Sequence, residues 1–153
     1  MSNRIIDRIL PKQVDNQFKG YRLVAAVFAI IVVFTLARSL IHIFTPDGGA
    51  SSIAGINTSV DGGSNIVSMF AFWGLSQLLM GVVYLIVLLR YRSLIPLMFV
   101  FIFAEYSGRI LIGLAKPLIV SHTPPGAIGD YILVPLTIIM LILSLLTPKK
   151  KPK

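Results

Sequence analysis

Leu94–Pro117 reads LIPLMFVFIFAEYSGRILIGLAKP, and this stretch decides the fold. It is apolar and long enough to cross a bilayer core, which takes about 20 helical residues. Glu105 and Arg109 stand inside it. Four residues apart on a helix, their side chains share a face and can meet. Charge at that depth is costly, so it marks a face turned to protein rather than to acyl chains. The stretch predicts a membrane helix bundle built around a polar seam.

Composition agrees. The chain has 153 residues, which suits one domain, 1–153. Only 13% of residues are charged and 56% are hydrophobic, whereas a soluble domain carries about 25% charged residues. Mean hydropathy is +0.85. There is no cysteine, which excludes disulfides, thiolate chemistry, Fe–S clusters and Cys-based zinc sites. The net charge of +8 does not point to nucleic acid, because the basic residues flank apolar runs, where orientation in a membrane is set.

Three more spans surround the first. The apolar pattern predicts helices over 21–44, 66–89, 94–115 and 131–147, with an irregular exposed loop over 45–65 bracketed by two Asp-Gly-Gly turns. Gly-rich as that loop is, it has neither the Lys-Ser/Thr nor the lead-in strand of a phosphate loop. Residues 118–130, with Pro124-Pro125-Gly126, read as a second turn-rich loop. Pro96 falls in the first turn of its helix, where a missing N–H is harmless. Pro135 is placed near the start of the last span. Ahead of the spans, NRIIDRIL puts Ile5, Ile6, Ile9 and Leu10 on one side of a turn or two of helix. That fits a short helix in the headgroup region, or equally a frayed tail.

Orientation follows from counting Lys and Arg in the flanks. One side receives Arg4, Arg8, Lys12, Lys19, Arg22, Arg90, Arg92, Lys149, Lys150, Lys151 and Lys153, 11 basic residues, and the other receives Lys116 alone. The positive-inside rule then puts both termini in the cytoplasm and makes the chain a multi-pass protein of a bacterial inner membrane. The basic tails are expected to lie on anionic headgroups.

Depth along the helices assembles a site. At about 1.5 Å per residue, Gln77 lies near the level of Glu105, and Arg38 near or above Arg109. His42 and Lys116 fall at the outer mouth. Two readings stand: an outward-opening polar pocket of Glu105, Arg109, Gln77 and Arg38, or a Glu105–Arg109 pair that only locks packing. Arg38 itself either joins the seam or snorkels to the interface. Gly74 and Gly81, and Ala104 and Gly108, are small residues spaced for close helix contact.

No H-E-x-x-H, G-x-S-x-G or paired-carboxylate motif occurs. The two histidines, His42 and His122, both fall on the outer side and give no basis for a metal or haem site, so no cofactor is expected. Two function classes remain. One is an accessory or structural subunit of a membrane complex, which would meet the lipid bilayer and other membrane subunits or copies of itself. The other is a binder or carrier of a small anionic or amphipathic molecule, such as a lipid headgroup or a quinone. No internal repeat suggests a transporter.

FWGLSQLLMGVVYLIVLLRYR, a Gly-containing span ending in basic residues, and SGRILIGLAKP, a Gly-Arg helix end before Pro, carry a resemblance. Over about 72–146 the chain resembles uncharacterised four-helix bacterial membrane proteins, a domain of unknown function distantly similar to DoxX-type proteins. The resemblance implies an antiparallel four-helix transmembrane bundle and a recurrent arginine at Arg109, with an acid early in the last span. Here that acid is Asp130, at the loop edge, and Glu105 is an added charge.

Overall fold

A computed structural model describes residues 2–147. The basic tail at 148–153 and the side chain of Arg4, both part of the charge reading, lie outside the described residues. Five helices account for the fold: α1 (Ser2–Ile9), α2 (Arg22–Phe44), α3 (Gly63–Arg90), α4 (Ile95–Ala115) and α5 (Pro125–Leu145). There is no strand among the described residues. Helices α2, α3 and α5, together with α4 and the turn before it, are long and apolar enough to cross a membrane.

These helices are apolar on nearly every side, and their large side chains point out as often as in. Ile30, Val33, Phe72, Leu79 and Leu114 are all exposed. A soluble protein would not leave such a belt to water, whereas acyl chains match it. Because lipid is as apolar as leucine, the helices hold together by close packing and hydrogen bonds. Helix α2 packs along α3 and α4 along α5, while α3 and α4 share little beyond their connecting turn.

Two ends can be distinguished. At the first, Phe28 of α2 is fully buried between Tyr84 of α3 and Phe99 of α4, each ring centroid 5.8 Å away. Val24, Ile95, Met98 and Ile102 fill in around them. Helix α1 lies across this end, where the Arg8 guanidinium donates to the Leu145 carbonyl and to Thr147 Oγ1. Asp15 and Ser93 clasp each other, with Ser93 Oγ donating to the Asp15 carbonyl at 2.9 Å. Two buried hydroxyls of α5 find acceptors one turn back on their own helix: Ser144 Oγ donates to Leu141 O at 2.6 Å and Thr137 Oγ1 to Val134 O at 2.8 Å.

The second end carries the loops between α2 and α3 and between α4 and α5. They touch: the Ser121 amide donates to the Gly55 carbonyl at 2.8 Å. The first of them is exposed over much of its length but turns inward at its start. Gly48, Gly49 and Ala50 are buried, and Asp47 holds the turn by accepting from the amides of Gly49 at 2.9 Å and Ser52 at 2.7 Å. Those donors, Ser52 first, hold the Asp47 carboxyl down to about 2. Gly48 and Gly49, at φ +60° and +76°, take a left-handed backbone that other residues rarely adopt.

Two boundaries move from the sequence reading. Helix α3 starts at Gly63, three residues early. Helix α5 starts at Pro125, so the second loop is shorter and Asp130 sits inside the helix. Proline fits a first helical position because its N–H would have no partner there. Pro135 consequently falls in mid-helix, where it cannot donate to the carbonyl four residues earlier.

Candidate functional site

The polar residues of the loop end gather around Trp73. Small residues on α3 allow it. A Cβ on Gly74 would come 2.7 Å from His42 Cβ, and one on Gly81 would come 2.9 Å from Leu36 Cδ2. The two glycines therefore let α2 and α3 touch backbone to side chain, which brings Arg38 and His42 against the Trp73 face of α3. The other small pair behaves differently. Ala104 is exposed and lines a cavity, and beside Gly108 there is open space.

His42 is the first surprise. It is not at an open mouth but buried under the Asp47 loop, only 4% exposed. Its Nδ1–H donates to the Gly48 carbonyl at 2.7 Å, while its Nε2 accepts from Arg38 Nε at 3.2 Å. A ring that donates at one nitrogen and accepts at the other is the neutral imidazole. Its centroid lies 4.9 Å from that of Trp73 and 5.6 Å from that of Phe70. The loop thus fixes the histidine, and the histidine aims Arg38.

Both arginines turn inward. Arg38 Cζ sits 4.8 Å and Arg109 Cζ 5.0 Å from the Trp73 ring, and Arg109 is also 5.0 Å from the Tyr106 ring. Cations at this range are attracted to the ring quadrupole. Arg109 further pairs with Glu105, as the i, i+4 spacing predicts. The Nη groups of Arg38 have no protein acceptor among the described residues. Asp130, in the second turn of α5, lies within electrostatic reach of both guanidinia but bonds to neither, and its buried Oδ1 has no hydrogen-bond partner. Two acidic and two basic side chains therefore gather here, where the sequence reading of the pocket had Glu105 as its one acid. Lys116 ends α4, exposed and apart from this cluster.

Below the cluster is a cavity of about 380 Å³ between α3 and α4, with α2 behind it. Glu105, Gln77 and Arg38 all line it, and Arg109 stands beside it through Glu105. One end is polar, with Arg38, Trp73 and Glu105; the other is closed by Ile31, Met80 and Tyr84. Phe34, Met80 and Phe101 line it and are also exposed, so it opens sideways between the helices. Halfway down is Gln77, only 8% exposed, whose Oε1 has no partner.

Trp73 is the organising residue that sequence reasoning missed. The signal was available, since Trp73 stands four residues before Gln77 and next to Gly74, on the face that must turn inward. No group of three or more His, Cys, Asp or Glu side chains that could hold a metal occurs among the described residues. Comparison with known proteins finds no match among family models, curated proteins or solved structures.

Proposed function

We propose that this chain is a membrane-embedded binder of a small amphipathic molecule with an anionic head. The head sits at Arg38, and the apolar part runs toward Ile31 and Met80. One observation carries this reading: a guanidinium held in place by His42 and Trp73, whose Nη groups have no acceptor among the described residues, at the end of a mostly apolar cavity that Glu105 also lines. Such a group recognises a carboxylate or phosphate. A volume of about 380 Å³ is within the range of small-molecule sites, about 300–1,000 Å³.

In this reading the four long helices run antiparallel, with both termini cytoplasmic and the cavity facing the outer leaflet of a bacterial inner membrane. Two observations support it. The 11 basic residues against one favour this orientation under the positive-inside rule. Contacts between α2 and α3 pair His42 with Gly74, Leu36 with Gly81 and Phe28 with Tyr84, so the numbering falls on one helix as it rises on the other. The likeness to DoxX-type bundles is part of the same proposal and rests on the Gly108-Arg109 helix end.

Trp73 is the single tryptophan and lies at the cavity, so its emission reports occupancy. Titration of the purified protein with a bromine-labelled fatty acid is expected to quench it saturably. Arg38→Gln is expected to weaken binding about tenfold or more, the worth of a charge-assisted hydrogen bond. Equal affinity in Arg38→Gln, or quenching that never saturates, would contradict the proposal.

A second reading, an accessory subunit of a membrane complex, draws on the outer part of α4. Beyond Tyr106 no residue of that helix is buried, and Gly108 and Gly113 face open space. Copurifying subunits in native mass spectrometry of the gently solubilised protein would favour it.

A further inference from the structure

A fatty acid held at Arg38 makes no use of Gln77 and leaves a buried amide oxygen without a partner. An unpaired polar group in a membrane interior is costly, because hydrocarbon supplies no hydrogen bonds. Among the described residues Gln77 Oε1, Ser107 Oγ and Asp130 Oδ1 bear that cost, and of these three residues Gln77 alone lines the cavity. Several other polar residues avoid it. Ser39 donates to the Thr35 carbonyl at 2.6 Å, and Thr137 and Ser144 bond back within their helix. Gln77 does not. It lines the cavity one helical turn below Trp73, about 6 Å deeper than the level at which Arg38 meets that ring.

We infer that the ligand is a single-chain amphiphile carrying a hydroxyl or amide N–H about 6 Å below its anionic head, and that Gln77 reads that second group. This rests on the cavity being a ligand site and adds the class of ligand. The unpaired atom of Gln77 is the acceptor Oε1, so the group that meets it must donate, as a hydroxyl or an amide N–H does. Size supports one chain. At about 380 Å³ the cavity lies at the small end of the range for small-molecule sites, about 300–1,000 Å³. That suffices for a head, a linkage and the first part of one chain, whose remainder leaves through the side opening between α3 and α4. Monoacyl phospholipids have this layout: a phosphate, then a glycerol hydroxyl and ester, then one acyl chain. Plain fatty acids have only the first and last of these parts.

The test compares two probes of equal chain length, oleoyl lysophosphatidylglycerol and oleate, on the full chain in phosphatidylcholine nanodiscs. Trp73 emission is the readout. The native protein is expected to bind the lysolipid about tenfold more tightly than oleate. Gln77→Met keeps the volume and removes an unpaired amide, so folding is not endangered. It is expected to bring the two affinities together by weakening the lysolipid alone. Equal affinities in the native protein, or a preference that survives in Gln77→Met, would overturn the inference while leaving the cavity a ligand site. Failure of both probes to change Trp73 emission would overturn the ligand reading itself, and this inference with it.

Discussion

The two ends of the bundle are built from the same four helices and solve opposite problems. At the α1 end, Phe28, Tyr84 and Phe99 interlock, and the hairpin of α2 and α3 closes on α4. At the loop end, α3 and α4 meet through the Arg109 guanidinium on the Trp73 ring rather than through close packing. Two arginines and a tryptophan occupy the space that aliphatic side chains fill below, and a cavity remains beside them. The difference teaches how a small membrane protein can hold an open polar site. Packing that lipid cannot replace clamps one end. The other end can then tolerate charges that pair with rings, with each other and, under the proposed function, with a ligand.

The comparison breaks most visibly at the clamp. Phe99→Ala removes the fully buried ring of α4 and leaves a hole that neighbours fill only in part. The expected loss is about 3–5 kcal/mol, read as reversible unfolding in mixed micelles. A loss below about 1 kcal/mol would mean that the aromatic cluster is not what joins the two hairpins.

A smaller effect separates two glycines with the same sequence signature. Gly74→Ala puts a methyl 2.7 Å from His42 Cβ and 3.1 Å from the Ser39 carbonyl, so α2 must shift. It is expected to cost about 1–3 kcal/mol. Gly108→Ala meets nothing within 4 Å, and is expected to stabilise its helix by up to about 1 kcal/mol. Measured side by side in the same micelles, equal signs for the two would contradict the arrangement.

The smallest effect concerns the loop over His42. Asp47 titrates at about 2 in the folded protein, against about 3.9 in an unfolded chain. A depressed carboxyl contributes stability that is complete above the unfolded value and lost as pH falls through the folded one. Protection of the Gly49, Ser51 and Ser52 amides from hydrogen exchange is therefore expected to fall between about pH 4 and pH 2. Asp47→Asn is expected to remove that pH dependence.

Much of the bundle was legible because its signals are local. Apolar runs give spans, and a spacing of four brings Glu105 to Arg109 whatever surrounds them. The start of α5 was misread because Pro-Pro-Gly signals a turn and Pro125 equally suits a first helical position. Only the helix that follows decides between them. The burial of His42 was not legible, since it depends on Asp47 folding a loop back over α2. Nor could spacing tell that Gly74 and Gly81 meet a helix while Gly108 meets none. Which small face finds a partner is set by the whole bundle.

The central claim is that the loop end holds a polar-headed cavity that admits an amphiphile. The chain has no cysteine, so a single one can be introduced without background. Ala104→Cys places it in the cavity wall, and Leu79→Cys on an exposed apolar position that does not line it. A charged, water-soluble thiosulfonate is expected to label the first quickly and the second hardly at all, with oleoyl lysophosphatidylglycerol blocking the reaction at Ala104→Cys. Equal labelling at the two positions, or labelling of Ala104→Cys that the lysolipid leaves unchanged, would contradict it.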